Sequence, residues 1–180
     1  MLRKFLSAGD DAAAEIQYVG LSGVSRACLD AVRRYVQYGD RIERARVLTT
    51  AGRMHALLLF IDPSETVAVK SGFSSGYSGE GPRTFAETLR LLIDYGVGIE
   101  ECEVDEAVMS RVDASALTSK DLLLLESAKV VRPTRIHDYI YEGLGREERH
   151  SEQWSSIRTV MPWSLIDWKQ QSTYGSGVSG

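Results

Sequence analysis

Residues 54–61 read MHALLLFI, with His55 the only plainly polar side chain among them. An apolar run of this length, bounded by turn signals, fits a central strand covered on both faces. Before it, Ala51-Gly52 reads as a hairpin turn; after it, Asp62-Pro63-Ser64-Glu65 places proline to initiate a second turn. Residues 44–50, with Val47 and Thr49-Thr50, form the preceding strand. Residues 66–70 alternate, with Val67 and Val69 on one face, and form the following one. Two tight turns between three strands make an antiparallel meander.

Residues 1–20 are irregular in pattern, with a loop at Gly9-Asp10-Asp11. From Val24 the apolar positions Val24, Ala27, Cys28, Ala31, Val32, Tyr35 and Val36 recur at helical spacing, with Arg26, Asp30, Arg33 and Arg34 opposite. Ser22 or Ser25 is available as its cap, and Gly39 stands just past its end. C-terminal to the meander, residues 82–95 read as a helix burying Phe85, Ala86, Leu89, Leu92 and Ile93, stopped by Gly96. IEECEV at 99–104 reads as a fourth strand, with Cys102 and Val104 inward and Glu101 and Glu103 outward. A short helix begins at Asp105. Thr118 and Asp121 have the spacing of a capping box before a helix over 119–129, and residues 136–141 add a turn or two more.

This order indicates an α+β fold: a three-strand antiparallel meander plus a fourth strand reached through a helix, with helices layered on one face. The domain runs over residues 1–145. Trp154, Trp163 and Trp168 fall within residues 146–173, a helical segment expected to pack back on the domain, and 174–180 read as a flexible tail.

A chain of 180 residues carrying a formal charge of −4 has the bulk for a core but no basic surplus, which disfavours nucleic acid as a partner. Arg33, Arg34, Arg41, Arg44 and Arg46 cluster, and read as the solvated face of a helix and its exit loop. Cys28 and Cys102, both in apolar surroundings, read as small buried hydrophobes. Phe5-Leu6 is too short for a signal-peptide core and no stretch approaches a membrane span, so the expected location is cytoplasmic. His55, His137 and His150 show no metal-ligand spacing; His55 reads as a half-buried sheet residue.

The functional signal lies in SSGYSGEGPRTF, residues 74–85, where a glycine-dense loop runs into a helix. Strand, glycine-rich loop and helix N-terminus together can present free amides to an anion. Two named motifs fail. In the phosphate-binding loop pattern the lysine position is Pro82, and the spacing GxxGxG is the reverse of the dinucleotide fingerprint. No cofactor is named by the sequence. The candidate ligand-binding residues are Lys70, Ser75, Gly76, Tyr77, Ser78, Gly79, Glu80, Gly81, Arg83 and Thr84, for an anionic or nucleotide-like small molecule. Lys70 also fits an edge-strand lysine, and the whole loop also fits a structural connector. Glu80 is the one candidate general base, for a hydrolase or transferase. The reading from another class is a protein-interaction or self-associating module, using the tryptophan stretch or an exposed sheet edge. The stretch SGFSSGYSGEGPRTF, with the helix after it and IEECEV, resembles a group of uncharacterised bacterial proteins over roughly residues 40–145. That resemblance implies a recurring domain and no activity.

Overall fold

A computed structural model describes residues 12–62 and 65–145. Its strands are β1 (Gln17–Val19), β2 (Ile42–Thr49), β3 (Met54–Ile61), β4 (Glu65–Ser74) and β5 (Gly98–Glu103). Its helices are α1 (Ser25–Tyr38), α2 (Glu80–Asp94), α3 (Glu106–Asp113), α4 (Ser119–Ser127) and α5 (Thr134–Leu144). The strands form one mixed sheet in the order β1-β4-β3-β2-β5. As the apolar run at 54–61 requires, β3 is central and antiparallel to both β2 and β4, completing the expected meander. β5 adds parallel to β2 and β1 parallel to β4, so α1 and α2 serve as crossover helices between parallel strands.

The α+β class stands, and the layering is two-sided. Leu57, Leu59 and Ile61 of β3 face one core with Leu29 and Val32 of α1, Phe85 and Leu89 of α2, and Ile136 of α5. Ala56 and Leu58 face a second core with Met109 and Val112 of α3 and Leu125 of α4. A strand apolar on both faces needs two covers, so α3 and α4 occupy the face that a one-sided arrangement would leave wet.

Several boundaries move for local reasons. α1 is preceded by Val24, which makes no side-chain cap, so neither Ser22 nor Ser25 fills that role. At its other end Gly39 adopts φ 82° and donates its N–H to the carbonyls of Tyr35 and Val36. β4 runs four residues past Lys70, absorbing the start of the glycine-rich stretch across a register shift opposite His55 and Leu57. The capping box of α4 forms in both directions: Thr118 Oγ1 accepts from the Asp121 amide at 3.1 Å, and Asp121 Oδ2 accepts from the Thr118 amide at 2.9 Å. Arg111 of α3 donates to both Asp121 oxygens, at 2.8 and 2.7 Å, tying the two helices together.

Arg46 departs from the solvated arginine cluster. It lies buried under α4, paired with Glu100 at 2.6 Å, and donates to the carbonyls of Leu125 and Glu126 at the end of that helix. The tryptophan-bearing segment 146–173 and the tail 174–180 lie outside the described residues. Among the described residues no helix is long and apolar enough to cross a membrane.

Candidate functional site

β2, β4 and β5 are parallel to one another and end at the same margin of the sheet, where the glycine-rich loop joins β4 to α2. The loop is held down by its own chain. Gly76 adopts φ +83°, which disfavours any residue with a Cβ, and the Arg53 guanidinium lies in the space a Cβ would take. The Ser75 amide donates to the Arg53 carbonyl at 3.1 Å, and the Tyr77 and Ser74 hydroxyls meet at 2.7 Å.

A hollow of about 500 Å³ opens between the start of α2 and the end of α5, lined by Tyr77, Ser78, Gly79, Glu80, Pro82 and Arg83 with Glu142 to Gly145. Gly79 provides no side-chain cap, and the amides of Glu80 and Gly81 meet no acceptor among the described residues. The charges round the hollow are mixed. Glu80 and Glu142 both line it, and Arg83, the cation beside them, is paired with Glu87 at 3.3 Å. Of the sequence candidates, this hollow gathers Tyr77, Ser78, Gly79, Glu80 and Arg83. Lys70, Ser75, Gly76, Gly81 and Thr84 do not line it. Thr84 is buried on the inner face of α2, and Lys70 sits within β4, well back from the loop.

Ser75 turns inward to a cluster that sequence reasoning missed. Thr49 Oγ1 donates to Glu101 Oε1 at 2.6 Å, and the Tyr139 hydroxyl donates to the same oxygen at 2.8 Å. With its one proton committed to Glu101, Thr49 can only accept from His55 Nδ1, 2.9 Å away. The proton therefore sits on Nδ1, and Nε2 accepts from the Ser75 hydroxyl at 2.8 Å. The His55 ring stacks on Phe85 at 4.3 Å and meets the edge of Tyr139 at 5.0 Å. Arg135 of α5 closes the cluster, its Nε 3.6 Å from Glu101 Oε1 and its Nη1 3.0 Å from Glu103.

Two expectations are corrected here. His55 is fully buried rather than half-buried, and Glu101 points inward beneath α5 at 2% exposure. Alternation did separate Cys102 from its neighbours, but with helices on both faces there is no outward side at Glu101. The other Glu101 oxygen, Oε2, is buried without a partner.

Serine, imidazole and carboxylate in series invite a catalytic reading, and their physics argues against it. Burial, and then the Arg135 charge, lower the His55 pKa to about 3. A base that weak takes a serine proton poorly. Ser75 is itself buried and lines none of the hollows described. Burial, followed by the bond to Glu101, raises the Tyr139 pKa, so its proton stays in place. The cluster is a sealed strut that fixes the loop and α5 to the sheet. Glu80, by contrast, is exposed and makes no side-chain hydrogen bond or ion pair among the described residues.

A second concavity lies along the β1 edge of the sheet. β1 is an edge strand, anchored where the Leu117 amide donates to the Tyr18 hydroxyl at 2.9 Å and where Ala13 bridges Thr118. Between β1 and α1 runs a groove of about 630 Å³. Ala27 and Ala31 line it on α1, with Asp30, Arg34, Tyr35 and Tyr38 alongside, and Gly20 and Leu21 at the end of β1. Large apolar side chains stand in water here: Leu21 is 58% exposed, Val24 45% and Tyr38 84%. Tyr35 donates to the Gln17 side chain at 3.2 Å, bracing the groove wall.

No family model matches the chain, and no curated protein matches it. Among solved structures, a chain of the respiratory complex I from Thermus thermophilus is similar in fold, with a TM-score of 0.52 and 22% sequence identity. The match covers 67% of this chain and 99% of that one. At that identity the similarity is one of fold.

Proposed function

We propose that this chain is a protein-interaction domain whose working surface is the margin formed by β1 and α1. The observation that carries the reading is the groove itself: an open strand edge beside a floor of small residues, with Leu21, Val24 and Tyr38 exposed around it. An edge strand offers unpaired main-chain donors and acceptors, and projecting aromatic and aliphatic side chains supply contact area for a partner. The structurally similar chain belongs to a respiratory complex, which supports a role in assembly. The sealed cluster at the other margin supports the same reading, because its best nucleophile–base pair is out of reach. The test replaces Tyr38 with a photo-crosslinking residue in cells, with Arg83 replaced in parallel as the control. Discrete adducts from position 38 alone are the expected result; adducts from neither position, or equally from both, would refute the reading.

A second reading has one observation in its favour. Glu80, whose amide meets no acceptor among the described residues, lines a hollow, which suits a small anionic or nucleotide-like group held with help from Arg83, Ser78 and Tyr77. Glu80 and Glu142 oppose it electrostatically. Thermal stabilisation by a nucleotide or phosphate, lost in Arg83→Ala, would favour this site; no shift with any such compound would dismiss it.

A further inference from the structure

Resting on the interaction reading, we infer that the occupant of the β1–α1 margin is a second copy of this chain, related by a two-fold axis through the sheet that joins β1 to β1 and lays α1 against α1.

A two-fold axis brings one surface against itself, so the surface must be self-complementary. The face of α1 along the groove carries Ala27, Asp30, Ala31, Arg34 and Tyr38. Set two such helices antiparallel about the level of Val32. Residue 30 of one copy then stands level with residue 34 of the other, so Asp30 meets Arg34 twice, once on each side of the axis. Tyr38, which projects into water at 84% exposure, falls within about one residue of the level of Ala27 on the opposite helix, where a small side chain leaves room for a ring. Arg34 makes no ion pair among the described residues, so it is available. Asp30 already bonds Arg33 at 3.1 Å, and its second oxygen stays open to a partner.

The main chain agrees with this arrangement. α1 lies over β4, one strand in from the β1 edge, so an axis perpendicular to the sheet at that edge sets the two helices about 14 Å apart, a gap that side chains as long as Arg34 and Tyr38 bridge. Under that operation β1 meets β1 antiparallel, and the edge groups of Gln17–Val19 gain partners. Two five-stranded sheets become one of ten, and each open edge protects the other. A concave groove alone would fit many extended peptides. Opposite charges one helical turn apart, with a projecting ring and a small-residue seat at the two ends, are what a copy of the same surface requires.

The experiment measures the mass of the full chain by sedimentation across micromolar to submillimolar concentrations. The expected result is a species of twice 19.9 kDa. Arg34→Asp sets like charges opposite each other and weakens the dimer about tenfold or more, while the charge swap D30R/R34D restores it. Tyr38→Arg, at a position too exposed to affect folding, also dissociates it. A wild-type chain that stays monomeric throughout, or a dimer indifferent to both Arg34→Asp and Tyr38→Arg, overturns the inference. If the chain is monomeric while Tyr38 still crosslinks to another protein in cells, the surface is right and the occupant wrong; if crosslinks are also absent, both readings fail.

Discussion

Lowering the pH from 7 to 4 should loosen the sheet margin under α5 through one buried residue. His55 is held neutral: its pKa falls from an ordinary value of 6.5 to about 3, chiefly by burial and then by the Arg135 charge. The other titratable groups of its surroundings are Glu101, reached through Thr49, Glu103 beyond it, and the Tyr139 hydroxyl on α5. A depressed pKa means that the unfolded chain binds the proton more readily than the folded one. The contribution is therefore complete above pH 6.5 and is lost as pH falls from there toward 3. At pH 4 the unfolded imidazole is almost wholly charged and the folded one almost wholly neutral, a difference of about 3 kcal/mol. Asp121 and Glu100 also have lowered pKa values, held by Arg111 and Arg46, and also lose stabilisation in acid, so the wild-type curve alone does not isolate His55. The comparison is with His55→Gln, which keeps a donor and an acceptor but cannot titrate. Denaturant unfolding at both pH values, followed by far-UV circular dichroism, gives the required difference. Fluorescence would report residues 154–168 instead, where all three tryptophans lie. Wild type should lose about 3 kcal/mol more than the variant between pH 7 and 4. Equal losses in the two proteins would show that His55 is hydrated and the cluster open.

The other outcomes concern neighbouring parts of the same fold. Tyr139→Phe removes a 2.8 Å donor from a carboxylate that keeps only Thr49 as a hydroxyl partner, and should cost about 2 kcal/mol in unfolding free energy; a change below about 0.5 would mean water replaces the bond. Arg46→Leu strips the carbonyls at the end of α4 and leaves Glu100, itself half-exposed, without its closest partner; it should cost about 2 kcal/mol, with hydrogen exchange in α4 accelerating before that in α2. Cys28 and Cys102 are buried, with thiol pKa values raised chiefly by burial, Cys102 to about 11. Neither should react with a thiol reagent at pH 7.5 until the domain unfolds, and rapid modification of the native protein would contradict both placements.

The reading of MHALLLFI as a central strand carried the meander, and Thr118 with Asp121 marked α4, because each depends on chemistry local in sequence. β1 escaped notice for the opposite reason. Three residues, Gln17 to Val19, are too few to show a period, and they are strand only because β4 and the turn before α4 hold them. Glu101 and Arg46 look solvated in the sequence because alternation identifies faces but not what covers them; α5 and α4 supply the covers from far along the chain. His55 carried a signal that went unused: one polar residue inside an apolar strand must find partners, and Thr49, opposite it across the hairpin, was the nearest. The groove had no comparable signature, since Tyr38 and Leu21 look like ordinary apolar residues until β1 is placed beside α1.

The tether between Tyr18 and Leu117 spans 99 positions, so this anchor of β1 forms only once the chain has reached the start of α4. Until then β1 is held on the flank of β4 by three residue pairs and the Tyr35–Gln17 bond alone, while the longer strands can already assemble. A neighbouring molecule can lend its own Gln17–Val19 to the same flank in exchange. Exchange of this short, lightly held strand between molecules is thus the misassembly that the topology invites.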